Sequence, residues 1–384
     1  MGMWSKAAEM AAKAPPSRNR YVDFLRALSI MAVVVGHWLV AAPYMKDGAV
    51  EGGHLLGILP WTQWLTWGFQ VMPLFFFVGG HVHTVAWERS AGRRRTTLGR
   101  FALTRIRELL VPAVALLALW ITLGAIVTST KDVRWMWRAV RLVVSPLWFL
   151  AVYALLIALF PLSYRLHRRF GGLVLVWMCG LAGAVDVWRF ARGVDWVGWF
   201  NMVFVWGLCH QLGFFYADLK DRPRRWHEMM AWSGLFALFG LVASGLYPGS
   251  MVGVPGERFS NMAPPTLCIA ALVAFQAGVA LLIRPWVLLR LTTRARWART
   301  NTFVNRFAMP LFLFHTTGMA LSRFVGWVIL HRIGSRQPDL GWWLTRPIAW
   351  VGPLVWTIPV IWVFSKTPLG RRRTHDRSTP QAIA

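Results

Sequence analysis

The sequence predicts an all-α polytopic membrane protein, a bundle of about ten transmembrane helices with both termini cytoplasmic. Three observations lead there. Of the 384 residues 56% are hydrophobic and 15% charged, against about 25% charged in soluble domains, and the mean hydropathy is +0.46. The apolar residues fall in runs close to the roughly 20 residues a bilayer requires. Lys and Arg fall in short clusters between those runs, which sets an orientation. The same clustering argues against nucleic acid as the partner behind the net charge of +27, although a basic face is the usual mark of a phosphate binder.

Residues 1–20, MGMWSKAAEMAAKAPPSRNR, are polar and rich in small residues. The apolar run after them has no small-residue cleavage site of the signal-peptide kind, so they read as a cytoplasmic tail before a retained first helix. Candidate spans lie near residues 22–42, 61–85, 108–128, 147–164, 171–189, 196–217, 228–247, 266–284, 307–330 and 347–365. Together they form one transmembrane domain over 21–365, followed by a basic cytoplasmic tail over 366–384. The N-terminal tail, the segments 89–107, 165–169, 220–225 and 284–306, and the C-terminal tail hold 29 of the 42 Lys and Arg residues. The alternate set holds 11, and Arg26 and Arg323 sit within spans. Basic loops stay cytoplasmic, which puts both termini there and agrees with an even number of spans.

No internal repeat is visible, which weakens a comparison with inverted-repeat transporters. The loop YPGSMVGVPGERFSNMAPP, residues 247–265, is the longest on the outer side. It reads either as the lining of an outward-facing substrate site or as a plain connection. Cys179, Cys209 and Cys268 lie in three different apolar runs without paired metal-ligand spacing and read as packing residues.

The first span, RYVDFLRALSIMAVVVGHW, carries Asp23, Arg26 and His37 in apolar surroundings. At about 100° per residue, the eleven-residue separation of Arg26 and His37 is three turns plus roughly 20°, so they share one face. Asp23 lies about 60° from Arg26 and about 40° from His37, and the three form one polar stripe. His37 stands roughly 16 Å beyond Arg26 along the axis, past the middle of the membrane. Charge in hydrocarbon costs several kcal/mol unless paired or hydrated, which turns the stripe toward a cavity. The plainer arrangement is an Asp23–Arg26 anchor at the interface, with His37 hydrogen-bonded to a neighbouring helix.

The second span contains VMPLFFFVGGHVH, a kinked and closely packing segment by its Pro and its glycine pair. His81 and His83 near its cytoplasmic end are two residues apart and point in different directions, so no metal is expected. Arg89, Arg93, Arg94, Arg95, Arg100, Arg105 and Arg107 follow. They serve topology and attract anionic lipid headgroups, and their bidentate donors suit a platform for a phosphate-bearing donor. Glu108 can pair with one of them. No G-x-S-x-G elbow, Walker loop, H-E-x-x-H helix or dinucleotide glycine fingerprint is present.

The order Asp23-Phe-Leu-Arg26-Ala-Leu followed by His37 resembles the first-helix signature of the acyltransferase-3 family of integral membrane O-acyltransferases. PLFFFVGG at 73–80, RIRELLVP at 105–112, PLWFLAVYALLIALFPL at 146–162 and NRFAMPLFLFHTTGM at 305–319, which carries His315, resemble it too. The similarity covers roughly residues 20–365. It implies a bundle of about ten helices that takes an acyl group, usually from acyl-CoA on the cytoplasmic side, to a hydroxyl of an envelope molecule. The family's essential first-helix pair maps onto Arg26 and His37. Its arginine motif before the third helix maps onto Arg105 and Arg107, with Glu108 where a second Arg usually stands, and Gly79 stands where the second-helix motif usually has Ser.

The chemistry agrees with the residues. His37 is a base suited to a hydroxyl proton near neutral pH, or a nucleophile that carries the acyl group in a two-step route. Asp23 orients Arg26 or fixes the stripe, and Arg26 stabilises negative charge on the reacting carbonyl or leaving thiolate. Arg93, Arg94, Arg95, Arg105 and Arg107 are the donor-binding candidates, and Phe76, Trp148 and His315 are assigned to the substrate cavity, with Phe149 beside Trp148. The donor is acetyl-CoA or another acyl-CoA, the acceptor a sugar or glycolipid, and the setting the cytoplasmic membrane of a bacterium, among membrane lipids and envelope export machinery. A transporter or flippase using Asp23, Arg26, His37, Asp186 and Arg323 as a relay is the competing reading, and an inactive scaffold is a third. The wording NRYVDFLRALSIMAVVVGHW with FFFVGGHVH is similar to actinobacterial family members. Among these is the trehalose monomycolate acetyltransferase of mycobacteria and their relatives, which makes that glycolipid a candidate acceptor.

Overall fold

The computed structural model describes residue 9 and residues 18–42, 44–46, 49–51, 53–91, 97–130, 134–328 and 338–366. Helix α1 spans Arg20–Val40 and begins where the Asn19 side chain accepts the Val22 N–H at 3.2 Å, the arrangement that satisfies an orphan donor of the first turn. Beyond it come a two-stranded antiparallel hairpin, Tyr44–Lys46 with Ala49–Glu51, the short helix Leu55–Ile58, and a Pro-initiated 3₁₀ turn, Pro60–Leu65, running into Thr66–Phe69. The remaining long helices are α2 Met72–Ala91, α3 Leu98–Thr130, α4 Arg134–Val144, α5 Trp148–Phe170, α6 Leu173–Arg192, α7 Asn201–Phe214, α8 Arg224–Ala243, α9 Leu267–Thr293, α10 Ala295–Val328 and α11 Leu340–Lys366.

Among the described residues six segments are long and apolar enough to cross a membrane: Arg20–Val40, Pro60–Ser90, Leu98–Ser129, Met136–Phe170, Leu173–Arg192 and Leu267–Thr293. The chain is an all-α polytopic membrane protein. Four other expected spans are also helical, as α7, α8, α10 and α11, and polar side chains thin out the apolarity of most of them. Asn201, His210 and Gln211 of α7 and Asn305, His315 and Thr316 of α10 are buried inside the bundle. Outward faces are apolar instead: Val176, Leu181 and Val187 of α6, Trp232 and Phe236 of α8, and Leu354, Ile358 and Val363 of α11 are all exposed, as lipid contact requires.

Several boundaries differ from the sequence reading. Helices α3 and α10 begin about ten residues earlier than the apolar runs, because Arg is itself a good helix former and a helix continues past the hydrocarbon. The expected span at 61–85 is interrupted at Gln70 and Val71, and α2 proper starts at Met72. The region between the third and fourth spans contains α4, which buries Met136, Val140 and Val143 on one side and exposes Trp137, Arg138 and Arg141 on the other. Its i, i+4, i+7 pattern is that of a surface amphipathic helix, too short to register as a span.

Contact between α2 and α7 is set by glycine. A Cβ on Gly80 would collide with the His210 carbonyl, and one on Gly213 with the Phe77 carbonyl, so the two backbones touch as in small-residue membrane interfaces. The loop 247–265 is held in shape by Asn261, whose Nδ2 donates to the Pro248 and Ser250 carbonyls (2.7 and 2.9 Å) while its Oδ1 accepts from Thr266 (2.7 Å). Asp186 of α6 accepts from Asn201 Nδ2 (2.9 Å), Tyr247 Oη (3.2 Å) and the Leu267 N–H (2.9 Å), closing the same end of the bundle.

Candidate functional site

The polar stripe of α1 meets a second polar stripe on α10. Asp23 pairs with Arg26 at 3.0 Å and with Arg18. Arg26 Nε donates to Asn305 Oδ1 at 2.9 Å, and Asn305 Nδ2 donates to the Asp23 carbonyl at 2.8 Å. Asn301 Nδ2 reaches the Arg20 carbonyl at 3.2 Å. Three turns further along α1, His37 Nδ1 lies 2.8 Å from His315 Nε2, and Trp38 Nε1 donates to the His315 carbonyl at 3.2 Å. The two stripes zip the first helix to the tenth, which answers the cost of these groups in hydrocarbon by pairing. Both sequence readings of the stripe hold in part: Asp23 and Arg26 are an ion pair, and they also face a cavity.

The histidine pair has a defined hydrogen pattern. Its ring planes are 11° apart with centroids 5.1 Å apart, the geometry of two imidazoles meeting nitrogen to nitrogen in a common plane. His315 Nδ1 lies 2.7 Å from the Phe312 carbonyl. A carbonyl only accepts, so Nδ1 of His315 carries the proton and its Nε2 is the acceptor. His37 Nδ1–H then donates to it, and Nε2 of neutral His37 keeps its lone pair. The tautomers are assigned from this network.

A cavity of about 760 Å³ opens beside the stripe. Arg18, Arg26, Arg89, Arg105, Arg107 and Arg306 line its polar part with Asp23 and Glu108, and Ile30, Val33, Met72, Phe75, Phe149 and Phe312 line its apolar part. Val33 precedes His37 by one helical turn and Phe312 precedes His315 by three residues, so the apolar end points at the histidine pair. Arg105 Nη1 is held 3.0 Å from Glu108 Oε2.

Of the sequence candidates, Asp23, Arg26, Arg105 and Arg107 come together around this cavity, and His37 lies one turn beyond it. Arg93, Arg94 and Arg95 lie outside the described residues. Phe76, Trp148 and His315, assigned to the cavity, are not among its lining residues; Phe75, Phe149 and Phe312 are. One residue along a helix turns a side chain by about 100°, and the phase decides. Phe76 points into the core against Trp206 and Phe149 (centroids 5.0 and 5.2 Å), Trp148 leans on Trp206 (6.1 Å), and His315 is the partner of His37. Cys209 and Cys268 are buried and unbridged, whereas Cys179 is exposed.

Sequence reasoning missed Asn301 and Asn305, although Asn305 opens the stretch NRFAMPLFLFHTTGM that carries His315. It also missed a second buried pair: His83 Nδ1 lies 3.0 Å from His210 Nε2, and Tyr153 Oη lies 3.4 Å from His83 Nε2. A single His in the apolar α7 was the available signal. Among the described residues no group of three or more His, Cys, Asp or Glu is arranged around a metal.

A family model described as an acyltransferase domain matches residues 19–366. The curated proteins and the solved structures give no match. The matched span contains both polar stripes, the histidine pair and the whole described wall of the cavity apart from Arg18. With nearly the entire helical bundle covered, the chain belongs to the acyltransferase-3 family and is a membrane acyltransferase.

Proposed function

We propose that the protein transfers an acyl group, acetyl in the first instance, from cytoplasmic acyl-CoA to a hydroxyl of a cell-envelope sugar or glycolipid. The observation that carries this reading is the His37–His315 pair one helical turn beyond the apolar end of an arginine-lined cavity. The cavity volume falls within the range of about 300–1,000 Å³ usual for small-molecule sites. Its arginines suit the phosphates of a CoA donor, and its apolar end suits the acyl arm. Arg26, three turns from His37, is suited to donor phosphate binding rather than to the reacting carbonyl.

In the direct route, His37 Nε2 takes the proton of the acceptor hydroxyl as its oxygen bonds to the thioester carbon. The C–S bond breaks, the proton passes to the leaving sulfur, and free CoA and the ester remain. In the two-step route, His37 Nε2 itself bonds to the carbonyl carbon and CoA leaves as the thiolate; the acceptor oxygen then bonds to that carbon, the bond to Nε2 breaks, and the hydroxyl proton passes to the thiolate, leaving the ester, free CoA and neutral His37. In either route His315 Nε2 receives the Nδ1–H of a cationic His37, fixing its tautomer and stabilising its charge, as an orienting carboxylate does in serine hydrolases.

The actinobacterial resemblance supports trehalose monomycolate as an acceptor. A bacterial cytoplasmic membrane with both termini inside is supported by the segregation of basic segments, since Arg18, Arg89, Arg105, Arg107 and Arg306 gather at one end. The relay reading is not favoured: Asp186 is bonded to Asn201, Tyr247 and Leu267 rather than to any other member of the relay. Purified protein should consume acetyl-CoA, and His37→Ala should end this while the thermal unfolding profile is retained. Full acyl transfer by His37→Ala would overturn the mechanism.

A further inference from the structure

At the other end of α1 an open pocket of about 680 Å³ lies between the C-terminal end of α6, the turn Asp195–Phe200 and the loop 253–264, with His54 at its edge. Its base is Arg189. This side chain is only 4% exposed, yet its Nε and Nη1 are buried without a hydrogen-bond partner. The nearest carboxylate oxygen, Asp195 Oδ1, is 3.8 Å away, and the rings of Phe190 and Phe259 flank the guanidinium at 5.5 and 5.0 Å. A desolvated guanidinium with two unfilled donors is costly unless acceptor oxygens reach it.

The rest of the pocket narrows the chemistry of those oxygens. Trp196 and Trp199 are 63% and 56% exposed and stand on the pocket wall. Gly198 between them is required: a Cβ there would lie 2.8 Å from Pro264 Cγ and 3.0 Å from Arg189 Cδ, so the turn can close over Arg189 only without a side chain. Arg258 Nη2 lies 3.8 Å from Asp195 Oδ2, and Glu257 accepts from Gln63 at 3.1 Å. Two arginines balanced by two carboxylates do not select a phosphate. Flat indole faces for C–H surfaces, with donors and acceptors of both signs between them for hydroxyls, are what a neutral sugar ring presents a need for. His54 is kept below its ordinary pKa by burial and so offers a neutral imidazole.

The backbone ties this pocket to the histidine pair. His54 is bridged to Ala41, and the Ala42 N–H donates to the Gly53 carbonyl at 3.0 Å. Ala41 is one turn beyond His37. We propose that the pocket holds the head group of the acceptor, a neutral polyhydroxylated carbohydrate entering from the side of the membrane opposite the donor. The acceptor role rests on the acyl-transfer reading; carbohydrate binding does not.

Saturation-transfer NMR on the purified full chain, with glucose, maltose and trehalose as probes and glucose 6-phosphate as the charged comparison, tests it. The neutral sugars should give signals that fall severalfold in Trp199→Ala and in Arg189→Gln and persist in Trp232→Ala, which removes an exposed indole of α8. In the transfer assay Trp199→Ala should raise the acceptor KM about tenfold, the ratio that about 1.4 kcal/mol of lost contact gives, with a much smaller change in kcat. No sugar signal, or a signal unaffected by both substitutions, overturns the pocket and leaves the indoles as interfacial anchors. Sugar binding that the substitutions abolish, in a protein that never consumes acyl-CoA, upholds the pocket and overturns the acyl-transfer reading alone.

Discussion

His315 gives His37 its direction. With the Phe312 carbonyl fixing one nitrogen at 2.7 Å and His37 the other at 2.8 Å, the free lone pair of the pair resides on His37 Nε2. His315→Ala should therefore lower kcat about 100-fold or more, in line with the loss of an orienting partner elsewhere, while the KM for acyl-CoA stays near that of the parent. His315→Gln, whose amide oxygen can accept from His37 Nδ1–H, should recover part of the loss. Steady-state kinetics on the three proteins separates this from a packing defect, which Gln would not repair. Arg26 and His37 were legible in the sequence because helical geometry alone places them on one face. The link to His315 was not, because 278 residues separate the partners and nothing local in either stretch encodes the pairing.

Among elements, the glycine contact between α2 and α7 governs how the cavity wall forms. Gly80 meets backbone, the His210 carbonyl, whereas a Cβ on Gly79 would meet the Tyr153 side chain, its hydroxyl at 2.7 Å and its ring carbons at 2.9 and 3.1 Å. A carbonyl within a helix cannot yield as a side chain can. Gly80→Val should cost about 3 kcal/mol or more by overpacking and abolish recovery of monodisperse protein, while Gly79→Ala should be purified with a modest fall in Tm; thermal-shift measurements in detergent check both. The glycine pair was readable as a close-packing segment. Its counterpart Gly213 was not, since a lone glycine in an apolar run has no partner until the fold supplies one. Helix α4 escaped for a related reason: Met136, Val140 and Val143 face inward between arginines, and a search for long apolar runs averages that alternation away.

Taken whole, the molecule has two differently furnished ends joined by α1. One gathers Arg89, Arg105, Arg107 and Arg306 around a deep cavity, and the other sets Arg189, Asp195, Glu257 and Arg258 among indoles. Composition and basic clustering made this polarity legible in advance, because the bilayer imposes span length and charge asymmetry on any sequence that crosses it. The shape of the pockets depended on helix phase and loop closure and was beyond reach. The polarity predicts that, in a parent lacking native cysteines, Arg258→Cys is labelled by a membrane-impermeant maleimide in intact cells, whereas Arg100→Cys is labelled only after permeabilisation. The reverse pattern would invert the orientation.

The zipper between α1 and α10 has a consequence for biogenesis. The first helix leaves the ribosome with Asp23, Arg26 and His37 already in place, yet Asn305 and His315 arrive only after most of the chain has been synthesised. Until then Asp23 and Arg26 are paired only with each other and with Arg18, and Arg26 Nε and His37 lack the acceptors that α10 brings, which favours retention of the early helices beside the insertion machinery. A nascent chain that stops short of α10 displays those half-satisfied groups to the membrane, and membrane quality-control proteases can recognise it as unfinished.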